Sequence, residues 1–134
     1  MSLIYPALAQ IFWTFIVLVI LFLARKEAFQ SGGVKIKDIA VTSEAWPERA
    51  KLASANFSNQ FETPVLFYAL VLIATHVGAT GWIMATLAWA YVASRIGHTL
   101  IHTGSNRVMN RAKIYFAGLF ALLCMLIGIL IVMH

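Results

Sequence analysis

The stretch WIMATLAWAYVASRIGHTLIHT, residues 82–103, is long and mostly apolar, yet it carries Arg95, His98 and His102 in its second half. An α-helix of this length spans about 33 Å, enough to cross the hydrocarbon core of a bilayer. Ionisable side chains at that depth cost at least a few kcal/mol each on insertion scales, so they face a cavity or a partner and mark function. Their spacing of i, i+3 and i+7 places all three on one face of the helix.

Three further runs, at 7–24, 57–77 and 112–132, are also long and nearly free of charge. With 61% hydrophobic residues and a mean hydropathy of +0.84, the chain is too apolar for a small water-soluble domain. The pattern predicts an all-α integral membrane protein, a single domain of four transmembrane helices running up and down. The predicted helices are 6–26, 47–77, 81–104 and 110–133.

The net charge of +5 follows from the places where the basic residues lie. They concentrate in the two links that connect helices 1 and 2 and helices 3 and 4, whereas both termini and the 78–81 turn have none. This asymmetry predicts that both termini lie outside and both basic links lie in the cytoplasm. Membrane topology thus accounts for the positive charge, and nucleic-acid binding is not needed to explain it. No basic residue precedes the first run, and Arg25-Lys26 follows it at once, which indicates a retained anchor rather than a secretory signal. The basic residues of the links are Arg25, Lys26, Lys35, Lys37, Arg49 and Lys51, then Arg107, Arg111 and Lys113.

The second helix carries a polar pair of its own, Asn59 and Glu62, followed by Pro64. The proline should kink the helix and free a backbone carbonyl on the preceding turn. The tight 78–81 turn makes helices 2 and 3 antiparallel neighbours, which brings the two polar sets to similar depth in the cytoplasmic half. Glu62 and Arg95 are therefore predicted to form an ion pair, which is either purely structural or part of a site.

His98 and His102, four residues apart, have a spacing that metal ligands also use. No third histidine or cysteine lies on that side, and the glutamate of an HExxH motif is absent. Two histidines on one helix face also cannot approach a haem from opposite sides. The pattern therefore favours hydrogen bonding to a polar ligand or to neighbouring helices, with neither metal nor haem.

Basic residues crowd the start of helix 4, where they oppose the helix dipole. Membrane topology alone explains them. The alternative is an anion or thiolate site at the membrane surface, with Arg111 and Tyr115 at i and i+4 on a shared face. Glutathione would suit such a site, because its carboxylates need guanidinium partners, its α-amino group needs a carboxylate such as Glu62, and its thiol needs a cation to ionise.

Two segments resemble the membrane-associated proteins in eicosanoid and glutathione metabolism (MAPEG), specifically small bacterial members. The first is NQFETPVLFY, residues 59–68, with Asn, Glu three residues later, and then Pro. The second runs from RIGHT, residues 95–99, through His102, Arg107, Arg111 and Tyr115. The four-helix layout matches over the whole chain.

This resemblance implies a homotrimer that binds glutathione, as co-substrate, between neighbouring subunits near the cytoplasmic side. Arg111 falls at the position of the arginine that stabilises the thiolate, and Tyr115 at that of an aromatic hydroxyl beside the ligand. The family usually has an arginine where this chain has Ala55, and Lys51, one turn further back, is the implied substitute. Histidine replaces a common tyrosine at position 102. The implied glutathione contacts are Lys51, Asn59, Glu62, Arg95, His98, His102 and Arg107.

The predicted function is that of a glutathione-dependent transferase or peroxidase in the bacterial inner membrane, acting on lipophilic small molecules that partition into the bilayer. One alternative is a non-catalytic scaffold that binds lipid or another membrane protein, which would not bind glutathione. Another is a small proton-coupled exporter that uses Glu62. An exporter needs that carboxylate unpaired, whereas the predicted pair with Arg95 argues against it.

Overall fold

Helices make up 80% of the structure, a computed structural model that describes residues 2–134. Within that range there is no β-strand. The last long helix follows the one before it through a short turn, and the first long helix precedes the only long connection of this range. The helices are α1 Ile4–Gln30, α2 Ile36–Ile39, α3 Glu48–Ser58, α4 Thr63–His76, α5 Trp82–Thr103 and α6 Val108–Met133, and a 3₁₀ turn, Asn59–Phe61, lies between α3 and α4.

α1 and α6 are the helices of the described chain that are long and apolar enough to cross a membrane by length and composition. At 27 and 26 residues, each spans about 40 Å. Many of their large apolar side chains point outward, among them Phe12, Phe22 and Phe120. An apolar surface of this extent is suited to lipid rather than to water.

The second predicted helix, 47–77, is not continuous, and this part of the prediction is wrong. The α-helix stops at Ser58, a 3₁₀ turn follows, and Glu62 leaves the helical region with φ −93° and ψ −102°. Proline has no N–H, and its ring clashes with the carbonyl four residues earlier, so helical bonding cannot pass through Pro64. The chain instead begins a new helix in which Pro64 occupies the first turn, a position that tolerates it.

The break divides the predicted span into two short helices. α4 has 14 residues and reaches only about 21 Å, so it does not pass the length test that α1 and α6 pass. α5 has the length, but Arg95, His98 and His102 lower its hydropathy. Of these two helices, α5 carries Arg95, His98 and His102, whereas Arg111 and Tyr115 lie on α6, which passes the test.

α5 and α6 pack closely because small residues lie along their contact. A Cβ atom added at Gly118 would lie 2.6 Å from Ser94 Oγ, and one added at Gly128 would lie 2.9 Å from Met84 Sδ. Gly97 faces Ile114 in the same way. Small residues allow this close backbone approach between helices, which fixes the second half of α5 against the first turns of α6.

The long connection is tied to the end of α1 by an aromatic cluster. The Arg25 guanidinium lies 5.1 Å from the centroid of the Trp46 ring, and Phe29 packs edge-on against the same ring at 5.4 Å. Arg49 forms an ion pair with Glu27. α3 therefore starts from a defined place beside α1, although the residues before it are mostly exposed.

Candidate functional site

A pocket of about 230 Å³ lies between α5 and α6 and is lined by His98, Arg111 and Tyr115. The ring centroids of His98 and Tyr115 are 6.0 Å apart. The predicted shared face of Arg111 and Tyr115 is confirmed, since both line this one pocket. Apolar residues complete the wall: Val108, Ala112 and Phe116.

Arg111 is held in place by the turn that precedes α6. Its Nη1 donates a hydrogen bond of 2.9 Å to Asn106 Oδ1. Asn106 has a φ of 47°, in the left-handed region that asparagine tolerates better than most residues. Its backbone N–H donates to the carbonyl of Ile101 in the last turn of α5. The sequence marked 104–106 only as a turn, so it gave no signal that Asn106 orients the arginine.

Three buried polar atoms on α5 have no hydrogen-bond partner among residues 2–134. They are Arg95 Nε, His98 Nδ1 and His102 Nδ1. The two histidine rings lie edge to face with centroids 5.6 Å apart. Buried polar groups are normally paired, and an orphan costs about 1–3 kcal/mol. Their position on the face predicted from the i, i+3, i+7 spacing indicates a place for a polar ligand.

The Arg95 side chain is 2% exposed, and its Nη2 donates a hydrogen bond of 3.1 Å to the backbone carbonyl of Asn59. That carbonyl belongs to the 3₁₀ turn where regular helical bonding is interrupted. The predicted ion pair between Glu62 and Arg95 is wrong for residues 2–134, because Glu62 is exposed at the break and the guanidinium bonds to the turn instead. Across the described chain, the ion pairs are Arg49–Glu27 and Lys51–Glu44.

The remaining predicted contacts lie outside the pocket that His98 lines. Lys51 Nζ is 3.7 Å from Glu44 Oε2 and lines a separate cavity of about 140 Å³. Arg107 is exposed at the N-cap of α6, and Asn59 is half-buried in the 3₁₀ turn. The fold therefore brings together His98, Arg111 and Tyr115, with His102 beside them, and joins Asn59 to Arg95. It does not bring Lys51, Glu62 or Arg107 to the same pocket.

Sequence reasoning missed a buried polar network on the other side of α5. Thr99 Oγ1 donates to Asn56 Oδ1 at 3.3 Å and accepts from Trp13 Nε1 at 3.2 Å. Gln10 Nε2 donates to Gln60 Oε1 at 3.2 Å, and Gln60 Nε2 donates to the carbonyl of Asn56. Part of the signal was present, because Gln10 stands in a run that is otherwise apolar, whereas Gln60 lies among other polar residues.

No group of three or more histidine, cysteine, aspartate or glutamate side chains in residues 2–134 is placed to hold a metal ion. The polar atoms of the pocket are the nitrogens of histidine and arginine and a phenol oxygen. Such a set suits an anionic or hydrogen-bonding organic ligand.

A long-helix fold with outward apolar side chains and a basic polar pocket defines a helical membrane protein. The MAPEG family model matches residues 3–131, which is nearly the whole chain. The chain therefore belongs to the MAPEG family, as the resemblance indicated. This family is embedded in membranes and includes glutathione transferases and peroxidases. No curated protein and no solved structure matches the chain.

Proposed function

We propose that this protein is a glutathione-dependent membrane transferase or peroxidase that acts on lipophilic electrophiles. The observation that carries the proposal is the pocket that Arg111, Tyr115 and His98 line together, with the buried Nδ1 of His98 unpartnered among residues 2–134. Membership of the MAPEG family makes glutathione the thiol that such a pocket would bind.

Arg111 is the residue that would stabilise the thiolate. A thiol with an ordinary pKa of about 8.5 is mostly protonated at neutral pH, and lowering the pKa by two units needs about 2.7 kcal/mol. One arginine in a partly dry site supplies an interaction of this size. Its bond to Asn106 fixes the guanidinium before the ligand arrives, so no reorganisation is needed during the reaction.

The thiolate sulfur would then attack an electrophile that enters from the bilayer. With an electrophilic carbon, an S–C bond forms and the leaving group departs as an anion. With a lipid hydroperoxide, the sulfur takes the terminal oxygen with its proton as the O–O bond breaks, and the alkoxide leaves and takes a proton from water to become an alcohol. A second glutathione then converts the sulfenic acid to glutathione disulfide and water. Tyr115 would flank the sulfur in either reaction.

The other contacts are proposed from the resemblance and from the unpaired atoms. His98, His102 and Arg95 each offer a buried nitrogen without a partner among residues 2–134. Asn59, Glu62, Arg107 and Lys51 complete the proposed set. Glu62 is exposed beside Phe61, Val65 and Leu66, which are each more than half exposed.

A carboxylate on an apolar membrane surface is costly unless something covers it. This supports a homotrimer in which a neighbouring subunit closes the site over Glu62. From the four apolar runs and the asymmetry of the basic residues in the sequence, we also propose four spans, with α3 and α4 crossing together and α5 crossing alone, both termini outside, and the basic links in the cytoplasm of a bacterium with an inner membrane.

The test uses the full chain in lipid nanodiscs. We expect glutathione binding in titration calorimetry, and conjugation of a chloronitrobenzene or reduction of a lipid hydroperoxide. Arg111→Ala should lower the turnover at saturating glutathione by about a hundredfold, a loss typical of removing one group that stabilises charge at the reacting atom. Lys113→Ala, an exposed cation two residues away, is the matched control and should stay within twofold. A wild-type protein that neither binds nor turns over millimolar glutathione would overturn the proposal.

One observation favours a second candidate, the small proton-coupled exporter. That mechanism needs an unpaired membrane carboxylate, and Glu62 has no ion-pair partner among residues 2–134. Proteoliposomes loaded with a lipophilic cation separate the two functions. A release that depends on the proton gradient and disappears in Glu62→Gln would support the exporter.

A third candidate, the non-catalytic scaffold, draws support from α3. Ala55 provides no cation, and Lys51 is engaged by Glu44. Absence of glutathione binding, together with specific retention of lipid by a trimer, would favour this candidate over the enzyme.

A further inference from the structure

Three side chains of α5 hold the break between α3 and α4. Tyr91 OH and Thr63 Oγ1 share a hydrogen bond of 2.9 Å just after the break. Arg95 Nη2 donates to the Asn59 carbonyl within the break, and Thr99 Oγ1 donates to Asn56 Oδ1 just before it. We name these three contacts the rungs.

The rungs follow the geometry of two antiparallel helices. Tyr91, Arg95 and Thr99 are spaced by four residues, so they lie one above another along one stripe of α5. Their partners, from the start of α4 through the 3₁₀ turn to the end of α3, run in the opposite direction in steps of three or four residues. A regular stripe on one helix therefore faces an irregular segment on the other and contacts it at each turn.

The rungs lie in the interior of the protomer. Tyr91, Thr99 and Asn56 are all fully buried. The network continues to α1, where Trp13 donates to Thr99 and Gln10 donates to Gln60. Tyr91 also stacks on Phe67 with centroids 4.6 Å apart. Because water does not reach these groups, each lost bond would leave a donor or acceptor unsatisfied.

The break carries two of the proposed glutathione contacts, Asn59 and Glu62. The backbone of Glu62 is outside the helical region, so nothing in the local helix geometry sets the direction of its side chain. That direction depends on the contacts on either side, at Asn59 and Thr63. Both of these contacts are rungs.

We propose that Tyr91 and Thr99 are positioning residues that present Asn59 and Glu62 to glutathione by holding the break. They act from the two ends of the break, Thr99 on Asn56 before it and Tyr91 on Thr63 after it, and do not touch the ligand. This inference rests on the proposed function for its ligand, whereas its claim about the break stands apart from it.

The first variant is Thr99→Val, which keeps the shape and removes the hydroxyl that accepts from Trp13 and donates to Asn56. Thr99→Ser restores the hydroxyl and should rescue. The matched control is Thr86→Val, because Thr86 is an exposed α5 threonine that bonds only to its own helix, at the Trp82 carbonyl. Tyr91→Phe is the second variant. Its control is Tyr5→Phe, an exposed tyrosine of α1 outside the rungs.

Two measurements in nanodiscs test whether Tyr91 and Thr99 hold the break. The first is hydrogen exchange of the backbone amides of residues 57–66, and the second is glutathione affinity together with turnover. In Thr99→Val and Tyr91→Phe we expect faster exchange in this segment and a Kd for glutathione raised about tenfold, the size of one lost buried hydrogen bond. Turnover at saturating glutathione should stay within twofold, because Arg111 is oriented by Asn106 and not by the break.

Exchange and Kd in Thr99→Val that match Thr86→Val would overturn the inference. Faster exchange with an unchanged Kd would also overturn it. So would a loss of glutathione affinity with an equal loss of turnover, because that pattern indicates general damage to the protein. If the wild type binds no glutathione, the proposed function fails. The exchange measurement then still decides whether the rungs hold the break.

Discussion

The two sides of α5 carry similar polar side chains and use them in opposite ways. Towards α1 and α3, Thr99 bonds to both Trp13 and Asn56, and the nearby glutamines bond to each other. In the stripe beside α6, the Nδ1 atoms of His98 and His102 have no partner among residues 2–134. On the first side each of these side chains makes at least one hydrogen bond, although Gln10 Oε1 and Asn56 Nδ2 also lack a partner among residues 2–134. Side chains that bond to one another serve the architecture, whereas two adjacent histidines with unpartnered Nδ1 atoms, one of them lining the pocket of Arg111, indicate a ligand.

The largest effect is expected where the two sides depend on a common feature, the close packing of α5 on α6. Gly118→Ala places a Cβ against Ser94 Oγ and should destabilise the protein by about 2 kcal/mol through overpacking. It should also lower activity, because the pocket lies in the same contact between α5 and α6, which we call the seam. Gly81→Ala is the control, since nothing lies within 4 Å of its added Cβ. A denaturation midpoint for Gly118→Ala equal to that of the control would show that the seam is loose.

His98→Leu tests the unpaired side. Removal of a buried imidazole whose Nδ1 has no partner should leave the stability unchanged or raise it. The Kd for glutathione should rise about tenfold, equal to about 1.4 kcal/mol. Thermal unfolding with and without glutathione measures both quantities on one sample. A large loss of stability without ligand would place His98 with the architectural residues instead.

Gln10→Leu tests the paired side. It leaves Gln60 Oε1 without its donor and should cost about 1 kcal/mol of stability, with no change in turnover. The double variant Gln10→Leu/Gln60→Leu should recover part of this loss, because both partners of the bond are then apolar. Chemical denaturation of Gln10→Leu, Gln60→Leu and the double variant completes the cycle, and a double-variant loss equal to the sum of the two single losses would show that the two glutamines are not coupled.

The smallest effect is expected from Ala55→Arg, which restores a cation one turn before Asn59. Ala55 is exposed, so the longer side chain has room. We expect the Kd for glutathione to fall about threefold, as for a partly screened charge contact. Ser58→Arg adds the same charge at another exposed position of α3 and should have no effect. The same gain in both variants would indicate attraction by charge alone.

The sequence could predict features that depend on local helix geometry. Arg111 and Tyr115 share a pocket because residues four apart lie on one face of any helix. Pro64 marked the place where helix 2 changes, since the missing N–H is a property of the residue itself. Family membership was also predictable, because its motif residues lie in two short segments.

Features that depend on packing between distant segments could not be predicted. Charge and depth suggested that Arg95 would pair with Glu62, yet the guanidinium bonds to the Asn59 carbonyl because the turn places that carbonyl in reach. The bond between Gln10 and Gln60 joins residues 50 positions apart. Its geometry follows from how α1 lies against the 3₁₀ turn, which no local pattern records.

The glycines of the seam have a consequence for how a ligand could enter. With no side chains to slide over one another at Gly97 and Gly118, α5 and α6 form a single stiff block that carries the pocket wall. On the other flank of that block lies the interrupted helix, whose regular bonding stops at residues 59–62 and which the rungs hold in place. We expect any opening of the site to be a swing about residues 59–62 relative to a fixed wall.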